Sequence, residues 1–467
     1  MKKIATLLLF VLFFSCNTEE KNEIELSKTI TFANDIAPII FKNCTPCHRT
    51  GEAGPFPLTS YSEVKRNSNR IKFAVTTHYM PPWPADPTYS HFAGERVLTD
   101  SEIVLIKSWI ENKMPRGDTT IEPPCPNYFT GSFFGKPDLT IKMKDAVTIK
   151  GNGTDQFLVV KLPYEIERDT FIQTIEFVPD QRKLIHHVNG HTISFDEKKK
   201  KNVFEGKSIL PDVLENFKEQ FNEMGLAQDD GTFPVLTPGT VYYLPGYSPP
   251  AYPENISGYL LKKKGAFLLK NIHYGPSAKD TTDASCINLF FSAKAPERPL
   301  QEAQLGTFGL APIEPAFIIP ANEVQTFHTH WRVPKDISLL SVNPHMHLLG
   351  TKFLAYAVTP EMDTIRLIRI NKWDFRWQYY YTFLHPLKIP AGSELHAFGT
   401  FDNTKNNPLN PFSPPQTFSR REGKESMKTT EEMFQFIFTF IPYQKGDENI
   451  ELSKPSKFNQ SREGNGR

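Results

Sequence analysis

The stretch "KNCTPCHRT" constrains this chain more than any other, because Cys44-x-x-Cys47-His48 sets two thiols and an imidazole within a few residues. That spacing is the attachment signature of a c-type haem: both thiols form thioethers with the porphyrin and His48 ligates the iron. A zinc knuckle needs a second ligand pair nearby, and no other cysteine falls within the next seventy residues. A thioredoxin-like redox pair has no need of the histidine. Covalent haem attachment in bacteria takes place outside the cytoplasm, so the motif agrees with export.

The N-terminus reads as an address. "MKKIATLLLFVLFFSC" begins with Lys2 and Lys3 and continues as an apolar run too short for a comfortable spanning helix. Its end, Phe13-Phe14-Ser15-Cys16, resembles a bacterial lipobox. The resemblance implies a signal peptide over 1–16, with Cys16 as the lipidated first residue of the mature protein and 17–27 as a polar tether. An ordinary cleaved signal is the alternative. Either way the chain is expected outside the cytoplasm, on the periplasmic or cell-surface side, and the lipobox would anchor it to a membrane through Cys16. No later stretch is apolar enough to span a bilayer. The balance of 53 Lys+Arg against 52 Asp+Glu offers no basis for nucleic-acid binding. Cys125 and Cys286 remain as an even pair in an oxidising compartment, so a disulfide between them is allowed; two separate buried thiols are the alternative.

The second axial ligand of a haem should lie downstream of the motif. "TTHYMPPWPADP" offers Met80, whose thioether favours electron transfer, and Pro81-Pro82 would hold the loop extended. His78 is the rival. The flanks "FANDIAPIIFKN" and "LTDSEIVLIKSWIENK" predict two helices. In the second, Ile103, Leu105, Ile106, Trp109 and Ile110 make one apolar face, with Thr99 or Asp100 as N-cap. Residues 28–117 resemble a small class I cytochrome c, which implies an all-α domain. A proline-rich linker follows over 118–134.

The pattern then changes. With 467 residues the chain is long enough for several domains, and 39 Pro and 37 Phe lean towards strands joined by turns. Segments such as "DTFIQTIEFVPD" and "ASCINLFFSAK" are short, β-branched or aromatic, and bounded by Pro, Gly and Asp. The fold class expected is multidomain: the small all-α domain, then two all-β, jelly-roll-like sandwiches over 135–295 and 296–445. Residues 446–467 read as a polar, disordered tail.

Histidines recur in this β-rich part. "KLIHHVNGHTISF" carries His186, His187 and His191, and "LLKNIHYGP" carries His273. "TFHTHWRVP" carries His328 and His330, and "SVNPHMHLLG" carries His345 and His347. In a strand, residues i and i+2 share a face, so either His-x-His pair can meet one ion. Adjacent His186 and His187 point to opposite faces unless a bulge or strand end intervenes. His385 and His396 read as hydrogen-bonded packing residues.

The order His-His, His-Tyr-Gly-Pro, His-x-His-Leu-x-Gly and then the methionine of "TTEEMFQF" resembles the copper type II, ascorbate-dependent monooxygenases. That is the family of peptidylglycine α-hydroxylating monooxygenase and dopamine β-monooxygenase. The resemblance implies two coppers. His186, His187 and His273 would hold the electron-accepting one; His345, His347 and Met433 would hold the oxygen-activating one and carry the catalysis. Two imidazoles and a thioether suit copper. His328 and His330 are a rival for the second site. The family's substrate-clamping arginine, asparagine and tyrosine are replaced here by Asn343, Gln435 and Ile437. A peptide carboxylate is therefore not the expected substrate, although Asn343 and Gln435 could position an uncharged group.

Together these readings imply an exported monooxygenase that uses O2, a small-molecule substrate and an external electron donor, ascorbate or a redox protein. One covalent haem c would feed electrons to two coppers. The alternative is an anchored electron-transfer or copper-binding module without substrate chemistry.

Overall fold

A computed structural model of the chain describes residues 29–128, 131–211, 217–247, 249–250, 252–253, 256, 258–419 and 430–452. The expected signal peptide, Cys16 and the expected tether lie outside the described residues. Strands make up 36% and helices 12%, so the molecule is predominantly β. Among the described residues, no helix is long and apolar enough to cross a membrane.

The N-terminal unit is helical. Phe32–Ile36 opens as a π-turn capped by Thr31 and runs into the helix Ala37–Asn43. Asp100–Glu111 starts at Thr99 with a reciprocal capping box to Glu102, which settles the N-cap between Thr99 and Asp100. Trp109, fully buried, donates its Nε1–H to the Pro115 carbonyl at 2.9 Å, and packs against Phe32 and Tyr61. Two helices that the sequence pattern did not announce, Tyr61–Arg66 and Ser68–Thr76, lie between. Val64, Ile71 and Val75 bury their apolar side, while Lys65, Arg66 and Lys72 make the rest polar and the period short.

Two antiparallel sandwiches follow. In the first, the five-stranded sheet runs Ile209–Pro211, Gln156–Glu165, Lys264–Tyr274, Ile185–Ser194, Val235–Tyr243. The facing sheet runs Leu139–Lys142, Cys286–Phe291, Thr170–Val178, Tyr259–Leu261. Leu162, Phe267 and Leu269 from one meet Ile172, Ile287 and Leu289 from the other in a shared core.

In the second sandwich, Gln301–Gly306, Phe434–Pro442, Ile337–Met346 and Tyr381–Ile389 form one sheet. Val324–Arg332, Glu394–Asp402, Gly350–Val358 and Thr364–Ile370 form the other. Between them lie Leu339, Val342, Phe436 and Phe438 against Phe327, Phe353, Ala397 and Phe401.

Three details differ from the sequence expectations. Ala85 and Phe92, expected within the helical domain, belong to the core of the second sandwich, with backbone bridges Ala85 to Ile370 and Phe92 to Phe383. Residues 446–452, expected in the tail, are packed. Arg298 clasps Asp447 through two bonds of 2.6 and 2.9 Å, and Leu452 is buried. Residues 453–467 lie outside the described residues. The Cys125–Cys286 disulfide does not form: both thiols are free. Cys125 packs on the helical unit, whereas Cys286 opens a strand of the first sandwich between Lys142 and Val178.

Candidate functional site

The Cys44-x-x-Cys47-His48 stretch is a tight turn off the end of a helix: the amides of Cys47 and His48 both donate to the Cys44 carbonyl, at 3.2 and 2.9 Å. Cys44, Cys47, His48 and Met80 line one cavity of about 720 Å3, a volume in the range of cofactor sites. Leu58, Ile71 and Val75 give it an apolar wall. Met80 lines it and His78 does not.

The residues fit a haem. Burial holds the Cys44 thiol up at about 12, with Cys47 adding to it, and burial also raises Cys47. The His48 ring is pushed down by burial, opposed by its bond to the Phe56 carbonyl at 3.1 Å. That bond takes the Nδ1 proton and leaves Nε2 as the free lone pair. The loop folds back so closely that a Cβ on Gly54 would sit 2.7 Å from the Cys47 carbonyl oxygen and 2.9 Å from the His48 Cα. The intended linker straps the same turn from behind, with Arg49 stacked 4.1 Å from the Tyr128 ring centre.

His186 and His187 lie on the strand Ile185–Ser194, and His273 lies near the end of the neighbouring strand, directly opposite His187. Register shifts on both sides of His187 break the pleat. This is the bulge that adjacent histidines need to converge. The ring centres of His186 and His187 lie 4.7 and 5.0 Å from that of His273. Nδ1 of His187 and Nδ1 of His273 are buried without a hydrogen-bond partner. Burial, then the imidazoles of His273, His186, His345 and His347, push His187 well below the usual range, and burial takes His273 down to about 4. Both rings are therefore neutral at pH 7, the form that binds metal.

Asp155 was not foreseen. Its Oδ1 lies 2.7 Å from His273 Nε2, and Asp155, His186 and His273 together form a group with metal-ligand spacing. We read Asp155 as the carboxylate that accepts the Nε2 proton of His273, since this leaves the orphaned Nδ1 as the ligating atom. A hydrogen bond spanning 118 residues leaves no mark in a local sequence pattern.

His345 lies at the end of the strand Ile337–Met346, and His347 follows it. Their Nε2 atoms face each other at 3.2 Å, about the separation of two imidazoles sharing a tetrahedral ion. Gln378 donates from Nε2 to the Phe375 carbonyl at 2.8 Å, so its oxygen faces His345 and accepts the Nδ1 proton. Burial lowers His345 to about 4. In the register, His345 lies opposite Gln435 and Met346 opposite Phe434. Met433, just before the strand Phe434–Pro442, is fully buried. Glu432, unforeseen, accepts the backbone N–H groups of His347, Leu349 and Met433 and so ties the two chain segments together.

Asn343 and Gln435 donate their amide protons to the carbonyls of Tyr379 and Thr307, at 2.8 and 3.0 Å. They brace the site as well as facing it. His328 and His330 lie elsewhere, on the outer face of the second sandwich beside His396. His385 bonds the Ile450 carbonyl, as a packing residue.

The loop 371–380 joins all three places. The Phe375 ring stands between the two imidazole clusters, 5.8 Å from His187 and 5.7 Å from His347. Arg376 and Trp377 line the large cavity, and so does His186. A Cβ on Gly275 would meet His186 Nε2 at 2.5 Å, so the Gly of "HYGP" leaves room for that ring.

No protein-family model matches the chain, and no curated protein does. Among solved structures, the subviral particle of infectious bursal disease virus VP2 overlaps 69% of this chain and 76% of its own. The identity is 9% and the TM-score 0.18, too low to carry an argument.

Proposed function

We propose that this chain is an exported, lipid-anchored, haem- and copper-containing monooxygenase that hydroxylates a C–H bond of a small substrate with O2. The observation that carries the reading is the shared cavity. Cys44, Cys47, His48 and Met80 line it together with His186 of the first imidazole cluster, and the Phe375 ring packs against one imidazole of each cluster. The sequence of residues 28–117 resembles a class I cytochrome c, and the histidine and methionine motifs further along resemble those of the copper type II monooxygenases.

Cys44 and Cys47 would hold the haem covalently, and His48 and Met80 would ligate its iron. His186, His187 and His273 would hold one copper, and His345, His347 and Met433 the other. Bound there, these groups supply single-electron delivery, electron storage and dioxygen activation. The chain's own residues prepare the sites. The Phe56 carbonyl, Asp155 and Gln378 each fix one imidazole proton and so decide which nitrogen is free. Phe375, itself buried, would limit water beside His187 and His347. With Asn343 and Gln435 in place of a cationic clamp, the substrate is uncharged at that point.

Metal and haem analysis of the full chain, followed by anaerobic reduction and mixing with oxygen, tests this reading. The expected result is one haem and two coppers per chain, with haem reoxidation that depends on copper. Haem without stoichiometric copper would leave the electron-transfer module as the surviving account.

A further inference from the structure

The cavity beside the Cys44–His48 turn is walled mostly by apolar groups, and its permanently charged side chains are all cationic. They are Arg70, Arg96 and Arg376, with no aspartate, glutamate or lysine among the lining residues. They come from three parts of the chain. Arg70 lies on the helix Ser68–Thr76, Arg96 just before the helix Asp100–Glu111, and Arg376 on the loop 371–380 of the second sandwich. An apolar ligand that carries carboxylates matches this wall. A wholly neutral one would press guanidiniums against apolar surface with no counter-charge.

Their surroundings separate the three. Arg96 is held at the attachment edge: its Nη2 donates to the Gly246 carbonyl, and a Cβ on Gly246 would collide with both Arg96 Nη1 and Cys47 Sγ. Arg70 donates to Asn67 Oδ1 at 3.2 Å, with its guanidinium 5.4 Å from the Phe56 ring centre. Arg376 is placed differently. Asp374 takes its Nε and Nη2 protons at 2.9 and 2.6 Å, which fixes the plane of the guanidinium. Nη1 is left towards the Tyr79 hydroxyl, at 3.4 Å. A guanidinium has no lone pair to offer, so Tyr79 accepts in that contact and keeps its own O–H proton to donate. Both residues line the cavity, and both are about half exposed, Tyr79 at 51% and the Arg376 side chain at 52%. Two donors therefore stand side by side at its rim.

We propose that Tyr79 and Arg376 together bind one carboxylate of the haem, so that the second sandwich grips, through the loop 371–380, a cofactor attached to the helical unit. The inference rests on the haem of the proposed function. A phenol O–H beside a guanidinium N–H matches the two oxygens of one carboxylate. The propionates of a haem lie on the half of the macrocycle away from its thioether carbons, which sets Arg96, beside Cys47, aside. A cation paired with the carboxylate offsets its charge and favours the iron(II) state.

The test uses the full chain with its haem attached, as wild type, Y79F, R376Q and R376K. In a spectroelectrochemical titration, R376Q should show a reduced-to-oxidised haem ratio about three- to tenfold below wild type at the same applied potential. Y79F should fall by less, and R376K should restore part of the loss. With carbon-13 in the haem carboxyls, the labelled carboxylate band of the reduced-minus-oxidised infrared spectrum should shift in Y79F and R376Q, a change that loosened packing alone would not produce. Wild-type haem content with neither the ratio nor the labelled band altered in these two variants would overturn the proposal. Y79F changes a half-exposed ring and keeps that comparison open if R376Q fails to fold. A wild-type chain with no haem in a pyridine haemochrome assay would overturn the proposal together with the reading beneath it, which tells the two failures apart.

Discussion

At the scale of single residues, the side chains with the clearest spacing are not the ones that choose the chemistry. His345 and His347 are visible as His-x-His, yet which nitrogen of His345 is free depends on Gln378, thirty-three positions away. Gln378→Leu removes that acceptor and leaves the ring free to turn. Copper affinity at the second cluster should fall by about ten- to a hundredfold, measured by competition with a copper(I) chelator, while haem content stays unchanged. A haem loss of equal size would mean that the substitution had disturbed the loop 371–380 as a whole. Asp155 and Glu432 escaped notice for the same reason as Gln378. An isolated carboxylate or amide carries no periodicity, and its partner is set by strand pairing.

At the scale of elements, turns and bulges place the ligands. The Cys44–His48 turn depends on the loop 49–58 folding back onto it, and Gly54 is the point of closest approach. Gly54→Ala puts a methyl against backbone that cannot move aside as a side chain would. It should cost about 1–3 kcal/mol in stability, read from the urea midpoint, and lower the haem bound per chain in a pyridine haemochrome assay. Full haem loading in this variant would show that the turn tolerates a different loop path. The adjacent pair His186-His187 predicted a bulge or a strand end, and the register shifts flanking His187 supply the bulge. By contrast, Tyr61–Arg66 and Ser68–Thr76 were not legible as helices, because only one apolar residue in the first and two in the second are buried.

At the scale of the whole molecule, the helical unit is bound to both sandwiches. Glu52 meets Arg182 of the first at 3.3 Å. Asp86 accepts from Arg369 and Asn371 of the second, at 2.9 and 2.7 Å. Burial works against the Asp86 charge, but Thr88, Arg369 and Asn371 outweigh it and hold the carboxyl down at about 2. A carboxylate lowered in this way stabilises the docked form above pH 4, and the contribution is lost as pH falls from about 4 to about 2. Hydrogen exchange of residues 83–93 should accelerate across that window. In Asp86→Asn it should already be fast at pH 5 and show no such step. Asp447, clasped by Arg298 and also accepting from Ser338 at 2.6 Å, anchors the end of the described chain. Asp447→Ala strands a buried guanidinium and should cost about 3–5 kcal/mol by urea unfolding.

The sequence by itself determined the local chemistry: the thiol pair with its imidazole, the histidine pairs, the methionine and the change from helical to strand periodicity. Each is set by neighbours within a few positions, where spacing along the chain equals spacing in space. Only the tertiary structure decided that Phe92 belongs to the second sandwich, that Cys125 packs on the helical unit while Cys286 sits on a strand of the first sandwich, and that His186 shares a cavity with His48. These depend on which apolar faces find each other, and burial, unlike periodicity, carries no address in the chain.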